Sequence, residues 1–191
     1  MRMRHAMFLV PIALALTVSV AAAESVIGIG TFGGVAIPNG GEWKTTKESK
    51  SGLNWGFRFP MAFSSAFSLE PFLERSELKK DQVFFGTEDG FDVTSYGLNL
   101  GIGRLVRNHG GLHLTPFVGA MVAKQRREGG PGDDKFAWQG GLQIGLHGSE
   151  TAHWDLRGSY QSVSKLKDFG ETKARNYINI SLGLTAVVAP R

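Results

Sequence analysis

Five charged residues in the middle and late parts of the chain could meet in one interior: Arg58, Glu70, Glu74, Asp155 and Arg157. Guanidinium and carboxylate groups in such an arrangement either pair and fill the interior or line a path for ions. Because an unpaired charge away from water is costly, we favour a paired network that plugs the interior, with an ion pathway or gate as the alternative. A turn centred on Ser64 would place Arg58 opposite Glu70.

Three histidines share the inward position in their segments: His113, His147 and His153. All three fall near short connections, so symmetric turns would bring them side by side. Grouped imidazoles can bind a metal ion or respond to pH near neutrality. Rim histidines without a special role are the alternative interpretation.

An enzyme would need a nucleophile and a base on one lipid-exposed face. Thr115 is the hydroxyl closest in sequence to His113, but both side chains take the inward position. His153 and Asp155 supply a base and an orienting carboxylate without an adjacent nucleophile. The serines at 159, 162 and 164 have no histidine partner that the sequence can place, so the pattern does not favour catalysis.

The elements that carry these residues alternate apolar and polar side chains with a period of two, which is typical of β-strands. Most are ten or more residues long, which fits the ~9–11 residues of a tilted membrane strand better than the ~5–6 of soluble sheets. Eight such segments are predicted, at residues 25–37, 53–61, 66–78, 96–102, 112–124, 136–146, 153–165 and 178–186.

The connections between these segments alternate in length. Short links fall near residues 63–65, 108–111 and 148–151, and longer polar links near 39–50, 79–90, 126–134 and 167–173. An up-and-down barrel with an even strand count places all short turns and both termini at one end. We therefore expect an all-β fold, an eight-stranded antiparallel up-and-down transmembrane β-barrel.

The two faces of the strands differ in bulk. One carries Trp, Phe, Leu and Ile, and the other is rich in Gly, Ser, Asn and Gln. The interior of an eight-stranded barrel is only wide enough for side chains to fill it. The bulky apolar face therefore points outward to lipid, whereas a soluble ligand-binding barrel would need the reverse.

The first 23 residues have the pattern of a cleaved signal peptide. Arg2 and Arg4 precede an apolar run over residues 8–20, and three alanines then provide a cleavage pattern before Glu24. Residues 24–191 would form the barrel domain. Without cysteine, the exported domain cannot rely on disulfides. The net charge of +4 comes without a basic block, which argues against nucleic-acid binding.

From the opening Ile27-Gly28-Ile29-Gly30 to the closing run at 178–184, the chain resembles the small eight-stranded outer-membrane barrels of the OmpA transmembrane-domain and OmpX kind. The resemblance implies a bacterial outer-membrane location with both termini periplasmic, and it transfers no catalytic residues. Two departures stand out. The chain ends on Ala189-Pro190-Arg191 rather than on an aromatic residue, and Pro60, Pro71 and Pro116 fall inside strand patterns, where we expect bulges or near-rim positions.

Together these features predict a non-enzymatic outer-membrane barrel with a structural or surface-interaction role and no cofactor. A lipid A-modifying enzyme and a soluble secreted ligand-binding barrel are the alternatives. The expected partners are outer-membrane lipid, lipopolysaccharide and the outer-membrane assembly machinery; no extracellular partner is indicated. Basic residues in or beside the long links could contact lipopolysaccharide phosphates: Lys44, Lys47, Lys50, Lys124, Arg126 and Arg127. Solvated loops without such contacts are the alternative.

Overall fold

A computed structural model describes residues 26–41, 50–62, 67–79, 91–102, 112–127, 132–147, 151–165 and 173–189. Every regular element in these ranges is a β-strand. Among them, no helix is long and apolar enough to cross a membrane. The predicted signal peptide at 1–23 and most residues of the predicted connections lie outside the described ranges.

The described residues form nine strand segments in one sheet. Their bounds are β1 Val26–Gly41, β2 Lys50–Arg58, β3 Met61–Ala62, β4 Phe67–Lys79, β5 Phe91–Ile102, β6 Leu112–Arg127, β7 Asp133–His147, β8 Ala152–Val163 and β9 Arg175–Ala189.

The sheet closes on itself, because β1 pairs with β9 as well as with β2 and β3. All pairings are antiparallel, and both β2 and β3 lie between β1 and β4. These two segments are thus the halves of one barrel strand, which gives a closed eight-stranded barrel. The predicted fold class is confirmed.

Several strands extend beyond the apolar alternation toward the long connections. β5 begins at Phe91 rather than at residue 96, and β9 begins at Arg175 rather than at 178. The outward positions of these extensions carry polar residues, including Asp92, Thr94 and Asn176. Backbone pairing continues there although the apolar outer face has ended, so the alternation alone underestimated these strands.

The strands are staggered around the barrel. Following ladder partners once around the barrel wall from Ile27 leads back to β1 at Ile37, ten residues later in the chain. The path runs through Ile27, Met61, Leu69, Leu100, Val118, Gly140, Tyr160, Ile178 and Ile37. A stagger of this kind accompanies strand tilts of roughly 35–45°. Each lumenal side chain therefore faces residues far away in sequence across the barrel.

The three strand prolines are accommodated without shifts of register, so the expected bulges are absent; Pro60 has a near-rim position, the alternative expected, whereas Pro71 and Pro116 lie inside ladders. Pro71 and Pro116 pair with Leu98 and Leu142 inside continuous ladders. Pro60 separates β2 from β3, yet its carbonyl oxygen accepts a bond from Gly28 N at 2.8 Å. A proline lacks the N–H donor of the ladder but keeps its carbonyl acceptor. The neighbouring strand can still bond to that carbonyl, so the register continues past the proline.

Register shifts occur elsewhere, between Ile27 and Gly28, between Pro38 and Gly41, and between Lys50 and Leu53. The second shift contains Gly40, whose φ of 81° lies in the left-handed region that glycine adopts without strain. This irregularity lies at the end of β1, next to the first long connection.

The outer face of the described barrel is apolar, and the inner face carries both buried polar residues and a buried apolar cluster that includes Phe72, Leu78, Phe91, Val93 and Met121. Exposed side chains include Phe136 and Trp138 toward the long-connection end and Phe67 and Trp154 toward the other end. The aromatic residues at the two ends match the girdles that flank a lipid-facing band. The buried residues include Asn, Gln, Ser, Arg and carboxylates. The apolar parity of the strands therefore faces outward, as expected.

Candidate lumenal site

Antiparallel pairing and the two-residue period bring all five charged candidates into the lumen. They lie on three barrel strands: Arg58 on β2, Glu70 and Glu74 on β4, and Asp155 and Arg157 on β8. None is more than 9% exposed. β4 and β8 are not neighbours in the sheet, so contacts between them cross the lumen.

Arg58 binds Asp155, and the expected pairing with Glu70 is wrong. Nη1 donates to Asp155 Oδ1 at 2.8 Å, and Nη2 donates to the other carboxylate oxygen and, at 3.3 Å, to Thr185 Oγ1. In the ladder, Arg58 lies opposite Phe72 rather than Glu70, so the register of β2 and β3 against β4 differs by two residues from the expected one. The bidentate geometry is typical of a strong arginine–carboxylate pair.

Two glycines make room for the Arg58 guanidinium. A Cβ on Gly183 would overlap Nη2, and one on Gly30 would lie 2.9 Å from Nε. Neither position permits a side chain while Arg58 stays in place. The ring of Phe32, 5.9 Å from Cζ, lies on another side of the same group.

Glu70 binds Arg157 across the barrel. Nη1 and Nη2 of Arg157 donate to the two carboxylate oxygens at 2.6 and 2.8 Å, and Nη2 also donates to Gln143 Oε1 at 2.6 Å. Asn99 Nδ2 adds a bond to Glu70 Oε1 at 2.9 Å. The guanidinium lies over the Phe117 ring, 4.5 Å from its centroid. This second bidentate pair neutralises both of its charges.

Glu74 has no arginine or lysine ion pair among the described residues. Its Oε1 accepts bonds from Gln161 Nε2 at 2.8 Å, Asn179 Nδ2 at 2.9 Å and Ser76 Oγ at 3.4 Å. All these donors are neutral. The five charged residues therefore divide into two neutral pairs and one carboxylate held by amides and a hydroxyl.

A chain of amides connects the two carboxylates of β4. Gln161 donates to both Glu74 and Gln139, Gln139 donates to Asn99 at 2.7 Å, and Asn99 donates to Glu70. Reasoning from charge alone missed these amides. Their signal was present, because each occupies the inward position of its strand, but alternation cannot show which side chains meet across a lumen.

The three histidines lie at the short-connection end. His147 is the ladder partner of His153, and His113 pairs with Gly145, two residues before His147. A Cβ on Gly145 would overlap His113 Nε2, so the imidazole lies against that glycine. The side chain of His147 is outside the described atoms, and the side chains that are described contain no group of three potential metal ligands. Metal binding or pH sensing at this rim stays a prediction.

The residues considered for catalysis are separated by their other contacts. Both carboxylate oxygens of Asp155 accept bonds from Arg58. Thr115 lies opposite Gln143 in the ladder, and Ser159 is buried opposite Asn179. The geometry brings no nucleophile, base and carboxylate together among these candidates.

Comparisons with known proteins agree with this architecture. The family model described as "Outer membrane protein beta-barrel domain" matches residues 8–185. No curated protein sequence matches the chain. Neisserial surface protein A is similar in structure, with a TM-score of 0.54 at 11% identity over 85% of this chain and 96% of that one. A major outer membrane protein from Thermus thermophilus also gives 0.54, at 7% identity over 85% and 98%. At these identities the two structures support the fold alone.

Proposed function

Because the chain belongs to the outer membrane protein β-barrel domain family, we propose that it is a non-enzymatic barrel whose role is structural or depends on its surface. Family membership places it in the bacterial outer membrane. An outer-membrane barrel can act through its lumen, its lipid-facing wall or its connecting loops. Action through the lumen requires an open path along it, whereas action through the wall or the loops does not.

The observation that carries the proposal is the filled lumen. Two bidentate ion pairs and a chain of amides cross it, and the polar side chains involved are almost completely buried. An eight-stranded barrel leaves no aqueous channel once its interior side chains are packed. Activity through an open pore is therefore disfavoured, and the outer surface remains for contacts with other molecules.

We also propose that lipopolysaccharide is a partner at the long-connection rim. Lys124 and Arg126 are exposed at outward positions of β6, just beyond the apolar residues of that strand. Neither forms an ion pair with a described residue, whereas Arg75 on β4 contacts Asp92 at 2.9 Å. Exposed cations that form no ion pair with a described carboxylate are suited to the phosphates of an anionic leaflet.

The rim proposal predicts that lipopolysaccharide stabilises the folded barrel more than neutral phospholipid does. Replacing both Lys124 and Arg126 with Gln should remove most of the difference, and added salt should weaken it. Arg75→Gln is the matched control, because its charge is already engaged, and it should keep the difference. Equal stabilisation of the double variant and the wild type would contradict the proposal.

Both termini are proposed to be periplasmic, where the assembly machinery would receive the chain. Ile27 pairs with Ala189, so the ends of the described chain lie together at the short-connection end. A tag after Lys47 or Gly129 should be reachable from outside intact cells, and a tag after Ser149 should not. Labelling at 149 without labelling at 47 would reverse this orientation.

Mass spectrometry of lipid A tests the non-enzymatic part of the proposal. Strains that lack and overproduce the protein should contain lipid A of the same mass and acyl-chain number. A change that follows expression and disappears in an Asp155→Asn or His153→Ala variant would instead establish the enzymatic alternative.

A further inference from the structure

The lumen changes from polar to apolar along its length. Near the long connections its apolar side chains form one buried cluster. The members of this cluster that are at most 1% exposed come from seven different strand segments, and together we call them the apolar layer: Ala36, Leu78, Val93, Ala123, Ala137, Val163 and Tyr177. The remaining barrel strand contributes Gly52 of β2, the buried ladder partner of Ala36. Every barrel strand thus takes part in the layer, which spans the lumen from wall to wall.

The apolar layer lies where the outer wall leaves the lipid band. Val93 lies between the outward residues Asp92 and Thr94, and Ala123 is followed by the outward Lys124. At this level the strands have polar residues outside and apolar residues inside, which is the reverse of their arrangement within the lipid band. Apolar side chains in this inward position make no contact with lipid, so their effect is on the lumen.

The polar network begins on the short-connection side of the layer. Gln161 lies two residues closer to the short connections than Val163 on the same strand, and its amide donates to Glu74 at 2.8 Å. In this part of the lumen the side chains keep some contact with solvent, since Ser159 is 6% and Thr185 is 8% exposed. Polar interior sites can hold water, whereas packed apolar ones stay dry. The two parts of the lumen therefore differ in whether water can enter them.

We propose that the apolar layer is the permeability seal of the barrel, and that water and small ions enter the polar part of the lumen only from the short-connection end. On the other side of the layer, the guanidinium of Arg175 lies over the Phe91 ring, 4.0 Å from its centroid. An ion that passed between the two polar regions would lose its hydration in the layer without a polar group to replace it. The proposal rests on the closed lumen proposed above and assigns the closure to one layer of side chains.

The test measures from which side a lumenal thiol can be reached. The chain contains no cysteine, so Ser159→Cys supplies a single thiol on the short-connection side of the seal. Ag⁺, a monovalent cation that binds thiols, is added in nitrate medium outside or inside vesicles whose barrel orientation is known from a tag after Lys47. Maleimide labelling of the unfolded protein then measures the thiols that have not reacted. Ag⁺ should react from the short-connection side roughly tenfold faster, or more, than from the long-connection side.

Substitutions within the seal should remove this difference between the two sides. Val93→Ser and Val163→Ser, made together in the cysteine variant, should raise the rate from the long-connection side roughly tenfold or more. Val118→Ser with Val188→Ser is the matched control, because these valines are 48% and 60% exposed on the outer face, and both rates should stay the same. Gln139→Ala breaks the amide chain but keeps the seal, so it should not open the long-connection side.

A second pair of substitutions covers the case in which the valine variants do not fold. Ala123→Ser and Ala137→Ser each add only a hydroxyl group to the seal and should raise the rate from the long-connection side several-fold. Equal rates from the two sides in the Ser159→Cys protein would overturn the proposal, as would the absence of reaction from the short-connection side. Unchanged rates in the seal variants that fold would also overturn it, and so would opening by Gln139→Ala, which would assign the barrier to the polar network. A wild type without steady conductance would keep the closed lumen in each of these cases, so the two proposals can fail separately.

Discussion

Arg58 and Asp155 are separated by 97 positions in the chain, yet they form a buried bidentate pair. Each was placed in the interior by its position in an alternating strand, but its partner was decided by the stagger of the barrel. The same holds for Glu70 and Arg157. In a low-dielectric lumen each charge depends on its partner, because a single removal leaves the other charge buried and alone.

Arg58→Ala and Asp155→Ala should each destabilise the barrel by roughly 3–5 kcal/mol, the range for a broken buried pair. The double variant should be less destabilised than the sum of the two, because no orphaned charge remains. Urea unfolding in detergent micelles measures all three. Arg58 and Glu70 serve as the control cycle, because they are not direct partners, and their coupling should be smaller. A larger coupling for the control pair would restore the pairing first expected from sequence.

Gly183 and Gly158 provide a matched pair of glycine substitutions. A methyl group on Gly183 would overlap the Arg58 guanidinium, whereas one on Gly158 would meet nothing within 4 Å. Gly183→Ala should therefore destabilise the barrel by roughly 1–3 kcal/mol through overpacking. Gly158→Ala should be neutral or stabilising by about 0.5–1 kcal/mol, the usual difference between the two residues in a strand. Equal effects in the same unfolding assay would mean that Arg58 does not occupy the space beside Gly183.

At the level of the strands, the alternation of apolar and polar residues correctly predicts which side chains face outward wherever one face of the strand meets lipid. The apolar parity of 136–146 and 178–186 predicts the outward faces of β7 and β9 correctly. Beyond the lipid band the outward residues become polar, while the inward residues include the buried apolar Phe91 and Val93. An apolar outer face therefore no longer marks the strand, and the ends at Phe91 and Arg175 were missed. The Arg58 pairing failed for a related reason, since one residue in a turn shifts the partner of every residue on the strand.

The depth of an outward-facing position in the bilayer should determine how strongly a charge introduced there destabilises the barrel. Leu182 is 56% exposed in the apolar part of β9, and Thr94 lies among charged neighbours at the end of β5. Leu182→Arg should destabilise the barrel by about 2–4 kcal/mol, as expected near the bilayer midplane, and Thr94→Arg by about 0–1 kcal/mol. Unfolding from lipid vesicles measures the difference. Similar values for both would contradict the assignment of the lipid-facing band.

At the scale of the whole molecule, strand number, closure and the inward or outward sense of each face followed from pattern and size. The lumenal network could be predicted in its members but not in its connections, because a chain such as Gln161–Gln139–Asn99–Glu70 depends on distances across the barrel. The resulting molecule is a closed wall around packed lumenal side chains, which include a polar network and an apolar cluster. We therefore propose that its contacts with other molecules lie on its outer surface.

Single-channel recording of the refolded protein in a planar bilayer tests this account most directly. The account predicts that, after confirmed insertion, the wild type adds no steady ionic conductance to that of a bilayer treated with detergent alone, because the two arginine–carboxylate pairs and the amide chain occupy the lumen. A steady conductance through the wild-type barrel, present at low voltage and proportional to the amount of inserted protein, would show a continuous aqueous path and contradict it.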